Sequence, residues 1–346
     1  MAHQAAKQQL DGSPPSHGDS TKDSQGESGL QTERQHKEGG ETDSLACTSH
    51  VLSEMSAARS HRWSNLLTAA QLYLLGLKVL LVQLFTRPFR LPVMPRQDGK
   101  VAIVTGGGKG IGFEVVRHMA RLGAHVIIGG RDEQEGLAAV RRICEEYKQA
   151  KVEFKKLDLA SLQSVHHFVQ SFKQLELPLN ILINNAGVML VPEGRTEDGF
   201  EQHLGVNYLG HFLLTWLLLD TLKDSGKCGH ISRVVNVSSS AHRIGTVRLN
   251  DLNSCQCYSA HAAYCHSKLA QLLFSSHLHQ ELQRRGSPVS SCAVDPGMVD
   301  TALYRHLWMP LCLAQSAFAH LLLRVKHCCD FRLPYSHVRD GKDQLV

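Results

Sequence analysis

The sequence predicts an α/β domain with a doubly wound parallel sheet, and three observations lead to that prediction. Six short runs of β-branched or aliphatic residues follow one another between residues 101 and 294, as expected of buried strands. Longer helical stretches separate these runs, and repeated strand–helix units predict a parallel sheet with helices on both faces. The first run leads directly into a glycine-rich segment. No internal repeat and no second domain is visible in the sequence, so we expect a single folded domain over residues 99–305.

The predicted elements follow in order along this domain. The strand-like runs are 101–105, 125–128, 152–157, 180–183, 233–237 and 289–294. The longer helical stretches include 111–122, 199–222 and 262–283. The alternation of these two kinds of element is the pattern of repeated βα units.

The segment before the domain has two parts of opposite composition. Residues 1–60 are rich in Gln, Ser, Gly, Glu and His and carry almost no aliphatic side chains. Such a segment cannot bury enough apolar surface to offset its ordering entropy, so we expect a disordered extension. Residues 66–85, LLTAAQLYLLGLKVLLVQLF, are strongly apolar and approach the length of a membrane-spanning helix.

We interpret residues 63–90 as a membrane-anchor helix. Gln71, Lys78 and Gln83 interrupt its apolar run, so a helix lying in the membrane interface fits as well as a spanning one. Two arginines precede the apolar run and three follow it, an excess that favours a cytosolic domain on its C-terminal side. A soluble core helix is disfavoured because the segment precedes the first strand. A cleaved signal peptide, and with it secretion, stays an alternative, although no small-residue cleavage site stands out.

Charge and cysteine content exclude some other functions. The chain carries a net charge of +5 at pH 7, and no Lys/Arg run is dense enough to suggest a nucleic-acid partner. The ten cysteines include no pair with C-x-x-C spacing, so we expect no metal site despite the 21 histidines. Reduced thiols in a cytosol-facing domain are the expected state.

The glycine-rich segment runs from Thr105 to Gly112, T-G-G-G-K-G-I-G, between the first predicted strand and the following helix. Glycines there let the backbone turn tightly and approach a pyrophosphate, which rests on the positive end of the helix. The position between strand and helix is the one that this mechanism requires. The segment therefore predicts a Rossmann-type dinucleotide site. Its candidate cofactor contacts are Thr105, Gly106, Lys109, Gly110, Ile111 and Gly112.

The spacing T-G-x-x-x-G-x-G resembles the short-chain dehydrogenase/reductase family, and further family motifs follow in the family's order. They are Asp158-Leu159, Asn184-Asn185-Ala186-Gly187, Asn207, Ser238-Ser239, Tyr264-x-x-x-Lys268 and Pro296-Gly297-x-Val299-x-Thr301. The resemblance implies that Asp158 contacts the adenine and that the run from Asn184 to Gly187 lies along the cofactor. It also implies that the Val299 backbone and Thr301 receive the nicotinamide carboxamide. The cofactor contacts implied by these motifs are Asp158, Leu159, Asn185, Ala186, Gly187, Pro296, Gly297, Val299 and Thr301.

The residues at the end of the second strand bear on the choice of nicotinamide cofactor. A carboxylate here would bind the ribose 2′-hydroxyl and select NAD, but Gly130 stands there and Asp132 comes two residues later. Arg131 and Lys109 can instead pair with a 2′-phosphate, as in family members that use NADP. Taken alone, each of the two is more readily explained as a solvated surface cation, but together they occupy the two family positions. We therefore expect NADP(H) as the preferred cofactor, with NAD(H) as the alternative.

Tyr264 and Lys268 form the candidate catalytic pair. They are four residues apart on a predicted helix and therefore share one face. A free phenol titrates near pH ~10, and both a nearby ammonium and the positive nicotinamide ring of the oxidised cofactor lower that pKa towards the working range. The resemblance implies that Lys268 bonds the cofactor ribose, that Ser239 holds the substrate oxygen and that Asn207 supports a proton-relay water. Ser239 is preferred to its two serine neighbours because the family's serine is the second after the strand.

Other stretches narrow the resemblance within the family. Residues 263–270 and the Ser-x-Ala-His ending at His242 resemble the retinol-dehydrogenase branch, whose members are membrane-anchored and use lipid alcohols. Residues 207–212 and 258–264, together with the anchor, resemble more closely the members that act on polyisoprenoid alcohols or aldehydes of the dolichol pathway. This implies a polyprenol- or dolichol-type substrate, with the endoplasmic reticulum or a lipid droplet as host membrane. A retinoid or steroid dehydrogenase is the alternative, since the sequence does not distinguish these lipids.

The last predicted segment, 306–346, continues an apolar stretch into an atypical tail. In this fold the residues after Thr301 lie over the substrate pocket, so the apolar run 303–323 favours an apolar ligand, although a helix packed on the core fits equally. Family members continue with another helix, a seventh strand and a closing segment that often completes a homodimer. No such strand is evident after residue 325, so we expect an incomplete C-terminus that leaves a sheet edge unpaired. A non-catalytic regulatory protein that keeps the cofactor fold is therefore the second hypothesis.

Overall fold

The computed structural model describes residues 63–83, 85, 94–227 and 230–299, all within the compact unit 57–346. Its strands are β1 (Val101–Thr105), β2 (His125–Gly130), β3 (Lys151–Lys156), β4 (Ile181–Asn184), β5 (Ser232–Val237) and β6 (Val289–Val294). Its helices are α1 (Trp63–Gln83), α2 (Gly110–Arg121), α3 (Glu133–Glu146), α4 (Leu162–Lys173), α5 (Gly210–Gly226) and α6 (Ala260–Arg284). The predictions for residues 1–60, for residues 306–346 and for Thr301 lie outside the described residues.

The six strands form one parallel sheet in the order β3-β2-β1-β4-β5-β6. The chain winds from β1 outward to β3 and then crosses back to β4 on the other side of β1, so the predicted doubly wound sheet is confirmed. The loops after β1 and β4 therefore diverge at the point where the strand order reverses, which is where open α/β sheets bind their ligands. Among the described residues β3 and β6 are the two edge strands of this sheet.

Two apolar clusters cover the two faces of the sheet. One contains Phe168, Phe172 and Leu214, which come from α4 and α5; the other contains Val116 and Ile143, which come from α2 and α3. Every residue of β1 is buried, since its side chains point alternately into one cluster and the other. Burial on both faces explains why the central strands read as continuous apolar runs rather than as alternating ones.

The helix predicted over residues 199–222 starts later than expected. Gly199 has a φ of +80°, a left-handed conformation that interrupts a helix. The carboxylate of Glu201 then accepts hydrogen bonds from the backbone amides of His203 and Leu204, each at 2.8 Å, and so caps the new start. The helical path begins at Gln202 and passes through a π-helical stretch, Leu204–Leu209, before α5 begins.

Candidate active site

The loop after β1 has the backbone geometry that a dinucleotide pyrophosphate needs. Gly106 and Gly110 have φ angles of +65° and +57°, in the left-handed region that glycine tolerates. A Cβ at Gly112 would overlap the carbonyl oxygen of Gly106, so α2 packs on the loop too closely for a side chain. Helix α2 starts with no side-chain cap and no acid in its first turn, whereas an Asp or Ser side chain caps α3, α4 and α6. Its positive end thus fits a phosphate group.

Thr105, predicted as a cofactor contact, makes its side-chain hydrogen bonds with other parts of the protein. Its side chain is fully buried, and its Oγ1 accepts hydrogen bonds from the backbone amides of Asn185 and Ala186, at 2.9 and 3.0 Å. Oγ1 also lies 2.8 Å from Nε2 of His211, whose Nδ1 lies 3.1 Å from the carbonyl oxygen of Asn207. A carbonyl only accepts, so Nδ1 carries the proton and Nε2 accepts from the threonine hydroxyl. Thr105 therefore joins the loops after β1 and β4.

A cavity of about 890 Å³ opens where the carboxyl ends of the strands meet, and residues that follow all six strands line it. It brings together most of the residues predicted from the sequence motifs. Those that line it are Gly106, Lys109, Gly110, Ile111, Arg131, Asp158, Leu159, Asn185, Ala186, Gly187, Ser239, Tyr264, Lys268, Pro296, Gly297 and Val299. Thr105, Gly112 and Asn207 are not among the lining residues, and Thr301 lies outside the described ones.

The two cations predicted to select a 2′-phosphate both lie at this cavity, in different electrostatic settings. Lys109 Nζ lies 2.5 Å from the Oε2 atom of Glu135, a pair that is partly exposed. Arg131 has no ion-pair partner among the described residues. Asp132, the acid next to it, caps α3 by accepting a hydrogen bond from the Glu135 amide at 3.0 Å. Arg131 is thus the cation at this rim that no protein carboxylate engages within the described chain.

Tyr264 and Lys268 lie one turn apart on α6, and both are buried. Lys268 Nζ donates hydrogen bonds to the carbonyl oxygen of Val237 at 2.8 Å and to Oε1 of Gln271 at 3.3 Å. Burial lowers the pKa of Lys268 to about 8, while the negative charge of Asp295 acts in the opposite direction. The lysine is therefore anchored to the end of β5 and held with its ammonium in the wall of the cavity.

The three serines after β5 have different hydrogen-bonding roles. The Ser238 hydroxyl donates to the carbonyl oxygen of Lys268 at 3.1 Å, and the Ser240 hydroxyl donates to Asp295 at 2.5 Å. The Ser239 hydroxyl accepts a hydrogen bond from the Ala241 amide at 3.3 Å and donates to none of the described residues. Only Ser239 of the three therefore keeps its proton for a ligand in the cavity.

Asn207 lies inside the π-helical stretch and is completely buried. Its side-chain amide pairs with the backbone of Val188, accepting at 2.8 Å and donating at 3.0 Å, and also donates to Oγ of Ser267 at 2.9 Å. Ser267 in turn donates to the carbonyl oxygen of Tyr264 at 2.8 Å. π-helical turns often occur at functional sites, and this one links the segment after β4 to the helix that carries Tyr264.

Sequence reasoning missed several residues that support this site: His211, Ser267, Gln271 and Glu135. His211 and Gln271 had a usable signal, because each lies three or four residues from a predicted site residue on the same helix. Ser267 likewise stands directly before Lys268. For Glu135 the sequence contains no such signal, since its contact with Lys109 joins residues that are 26 positions apart.

Comparison with known proteins agrees with the geometry. The short chain dehydrogenase family matches residues 100–309. Polyprenol dehydrogenase of Danio rerio is 60% identical over 254 residues, which cover 73% of this chain and 78% of that one. Retinol dehydrogenase 12 of Homo sapiens is 48% identical over 221 residues, covering 64% and 68% of the two chains. The Pseudomonas aeruginosa RhlG/NADP active-site complex superposes with a TM-score of 0.55 at 25% identity, covering 70% of this chain and 90% of that one.

The match to the family extends over more than half of the chain and includes every strand of the sheet. The predicted resemblance to this family, with polyprenol and retinol dehydrogenases as relatives, is therefore confirmed. The protein belongs to the short chain dehydrogenase family, as an oxidoreductase that acts on CH–OH groups with a nicotinamide cofactor.

Proposed function

We propose that the protein is a membrane-associated, NADP(H)-dependent oxidoreductase that interconverts a polyisoprenoid alcohol and its aldehyde. The observation that carries this proposal is the placement of Ser239, Tyr264 and Lys268 in one cavity with an apolar helix along its side. The name of the Danio rerio relative, polyprenol dehydrogenase, supports the substrate class. The identity to retinol dehydrogenase 12 keeps a retinoid or steroid as the second candidate.

The chain's own residues can perform the proton side of this reaction. The Ser239 hydroxyl donates a hydrogen bond to the substrate oxygen, which places the carbinol carbon against the nicotinamide site. Tyr264 exchanges the alcohol proton through its phenol oxygen, and the Lys268 ammonium stabilises the phenolate form. Asn207 holds the helix start against the segment after β4 and so keeps this group aligned. The nicotinamide cofactor, when bound, supplies the hydride exchange.

NADP(H) is the cofactor we propose, with NAD(H) as the alternative. Arg131 lies at the end of β2, where the adenosine ribose of a dinucleotide binds in this fold, and it is exposed. A guanidinium that pairs with no carboxylate in the described part of the chain can offer two parallel donors to a 2′-phosphate. The Lys109–Glu135 pair weakens the preference, because a phosphate has to compete with the Glu135 carboxylate for the lysine.

We further propose that α1 attaches the protein to the endoplasmic reticulum or a lipid droplet, with the domain in the cytosol. Among the described residues α1 is the one helix long and apolar enough to cross a membrane, with a mean hydropathy of 1.6 over its most apolar 18 residues.

We also propose a homodimer through an aromatic patch on α5 and α6. In that patch Phe212 stacks on the exposed Trp216 and contacts Phe274 edge-to-face, with ring centroids 6.4 and 5.2 Å apart.

A substrate panel tests the proposed activity. With NADPH or NADP+ present, kcat/KM is measured for polyprenols of graded length, all-trans-retinol and a hydroxysteroid, and for the matching carbonyl compounds. We expect kcat/KM to rise with the number of isoprene units and to exceed the values for the two compact lipids. A preference for retinol or the steroid would favour the second candidate. NADPH binding without turnover of any of these lipids would favour the non-catalytic hypothesis.

A further inference from the structure

We propose that α1 lies in the plane of the membrane surface and forms one wall of the substrate cavity, so that a lipid alcohol reaches Tyr264 directly from the bilayer along this helix. The second half of the proposal rests on the lipid substrate proposed above. The first half, the orientation of α1, stands independently of any activity. The occupant to which we assign the outer face of α1 is the hydrocarbon of membrane lipids.

The outward face of α1 exposes more apolar surface than an ordinary surface helix does. Two polar side chains of α1 point towards the domain: Asn65 donates to Sγ of Cys257 at 3.5 Å, and the Tyr73 hydroxyl lies 3.0 Å from Nε2 of His261. The outward face is mostly apolar but also carries Gln71 and Lys78, which are exposed. Its apolar side chains that do not line the cavity are between 57% and 67% exposed; they are Leu66, Leu67, Leu74 and Val82. A helix facing water buries its apolar stripe, so a largely apolar outer face with one lysine matches the membrane interface, where a long Lys side chain can reach the headgroup layer.

Contacts near both ends of α1 hold the helix lengthwise along the domain. Asn65 makes the contact near the N-terminus, while Gln83 at the C-terminus pairs with Met298, accepting from its amide at 3.1 Å and donating to its carbonyl oxygen at 3.4 Å. These two residues are separated by roughly 27 Å of helix at 1.5 Å per residue. A helix that crosses a bilayer runs away from the aqueous domain, so two residues this far apart cannot both contact that domain. The contacts therefore favour a helix parallel to the membrane surface.

The inner face of α1 belongs to the cavity that contains the catalytic pair. Leu72, Leu75, Gly76, Val79 and Leu80 line that cavity together with the residues that follow the strands. Leu72 also packs against the cluster formed by Met189, Leu190, Ala241, Tyr264 and Cys265. The wall that α1 contributes is thus apolar and reaches the neighbourhood of Tyr264.

An apolar wall between the bilayer and the catalytic tyrosine has a direct consequence for a long lipid. A polyisoprenoid chain that had to cross water would expose every methylene and methyl group on the way. A chain that slides between α1 and the domain exchanges one apolar surface for another. Only the alcohol group then has to enter the polar part of the cavity, where Ser239 keeps a free proton.

Depth measurements on vesicles test the orientation of α1 without reference to catalysis. Trp63, Trp216 and Trp308 are replaced by Phe, and one tryptophan at a time is introduced in the full chain as Leu67→Trp, Leu74→Trp or Val82→Trp, at exposed positions that do not line the cavity. Quenching by phospholipids brominated at different acyl positions reports the depth of each. We expect all three to lie at the same shallow depth. A spanning helix would place the first and last roughly 23 Å apart along its axis, and that result, or no quenching at all, overturns the proposal.

A matched pair of substitutions tests the cavity wall. Leu72→Gln alters the inner face, whereas Leu74→Gln alters the exposed outer face two residues away and leaves the cavity lining untouched. In detergent we expect Leu72→Gln to raise KM for the long-chain alcohol about tenfold while NADPH binding stays unchanged, and Leu74→Gln to leave KM as it is. On vesicles only Leu74→Gln should weaken binding. An unchanged KM in Leu72→Gln overturns the wall assignment.

Failure of the proposed function would look different from failure of this inference. A protein that turns over no lipid alcohol but shows three equal shallow depths would refute the activity and leave the orientation of α1 standing. A protein with normal turnover and graded depths would refute the in-plane helix and leave the activity standing.

Discussion

The ammonium group of Lys109 lies 2.5 Å from the carboxylate of Glu135 at the mouth of the cofactor cavity. One of the two cations predicted to select a 2′-phosphate is therefore already paired with an acid of the same chain. Because a bound phosphate and Glu135 cannot both hold this lysine closely, we expect the pair to affect how strongly the proposed site distinguishes NADP(H) from NAD(H).

Removing the acid should tighten NADPH binding and leave NADH binding nearly unchanged. An exposed ion pair of this kind contributes about 0.2–1 kcal/mol, which corresponds to roughly a 1.4- to 5-fold lower Kd for NADPH in Glu135→Gln. Titration followed by nucleotide fluorescence measures both constants. Glu133→Gln, which removes an exposed acid from the same helix, is the matched control. An equal gain in the control, or an equal gain for NADH, would contradict the role of Glu135.

Tyr264→Phe should abolish turnover and leave nucleotide binding intact. The substitution removes the group that we propose exchanges the substrate proton, and a positioned acid or base of this kind contributes about 10²–10⁴ in rate. Single-turnover kinetics with bound NADPH measures the loss. Tyr258→Phe is the control, because that hydroxyl donates to the carbonyl oxygen of Val191 at 2.9 Å and does not line the cavity. Retained turnover in Tyr264→Phe would remove the tyrosine from the mechanism.

The rate of aldehyde reduction should fall as the pH rises above about 8. Burial lowers the pKa of Lys268 to about 8, so above that pH the free enzyme loses the cation beside Tyr264. Reduction needs both the protonated phenol and this ammonium, and kcat/KM reports the pKa values of the free enzyme. A pH profile of kcat/KM for the aldehyde measures the effect. A profile that stays level up to pH 10 would show that Lys268 keeps its proton in the fold.

His211 should make the fold less stable in mild acid. Burial, with a smaller contribution from the Lys268 charge, lowers the pKa of His211 to about 4. The unfolded chain takes up this proton near pH ~6.5, so protonation favours unfolding. The stability that neutral His211 contributes is complete above about pH 6.5 and is lost as the pH falls towards about 4, up to about 3 kcal/mol.

Urea unfolding between pH 4.5 and 7.5 measures this dependence. The variant His211→Gln should lose less stability over the range than the parent chain, because the group that titrates is gone. His167→Gln, at an exposed position of α4, should keep the parent's dependence on pH. The same dependence in His211→Gln and the parent would show that other groups cause it.

The fold and much of the site were predictable for a physical reason. Strands such as β1 are buried on both faces, so their residues form short apolar runs that are recognisable without any partner. The loop from Gly106 to Gly112 and the Tyr264/Lys268 pair are local motifs, because backbone approach and helical spacing are set within a few residues. Motifs of this kind can therefore be recognised from the sequence alone.

The remainder depends on contacts that the sequence does not encode locally. The carboxylate of Glu135 lies next to Lys109 only because α3 packs beside the loop after β1. The sequence also does not show that the Thr105 hydroxyl is hydrogen-bonded to His211 and to two backbone amides. The composition of α1 likewise fits either a spanning or an in-plane helix, and only its polar contacts with the domain separate the two.

The side-chain amide of Gln83 binds both the N–H and the C=O of Met298, as a neighbouring strand would. Met298 stands between Gly297 and Val299, in the segment expected to hold the nicotinamide carboxamide. We therefore expect the binding of α1 to lipid and the binding of the nucleotide to be thermodynamically linked. By reciprocity, whatever factor vesicles add to NADPH affinity, NADPH adds to vesicle affinity. Flotation of the protein with vesicles, in the presence and absence of NADPH, should measure this factor. In the variant Gln83→Leu we expect the factor to fall to one. The membrane would then be an effector of the enzyme, acting through a single amide side chain.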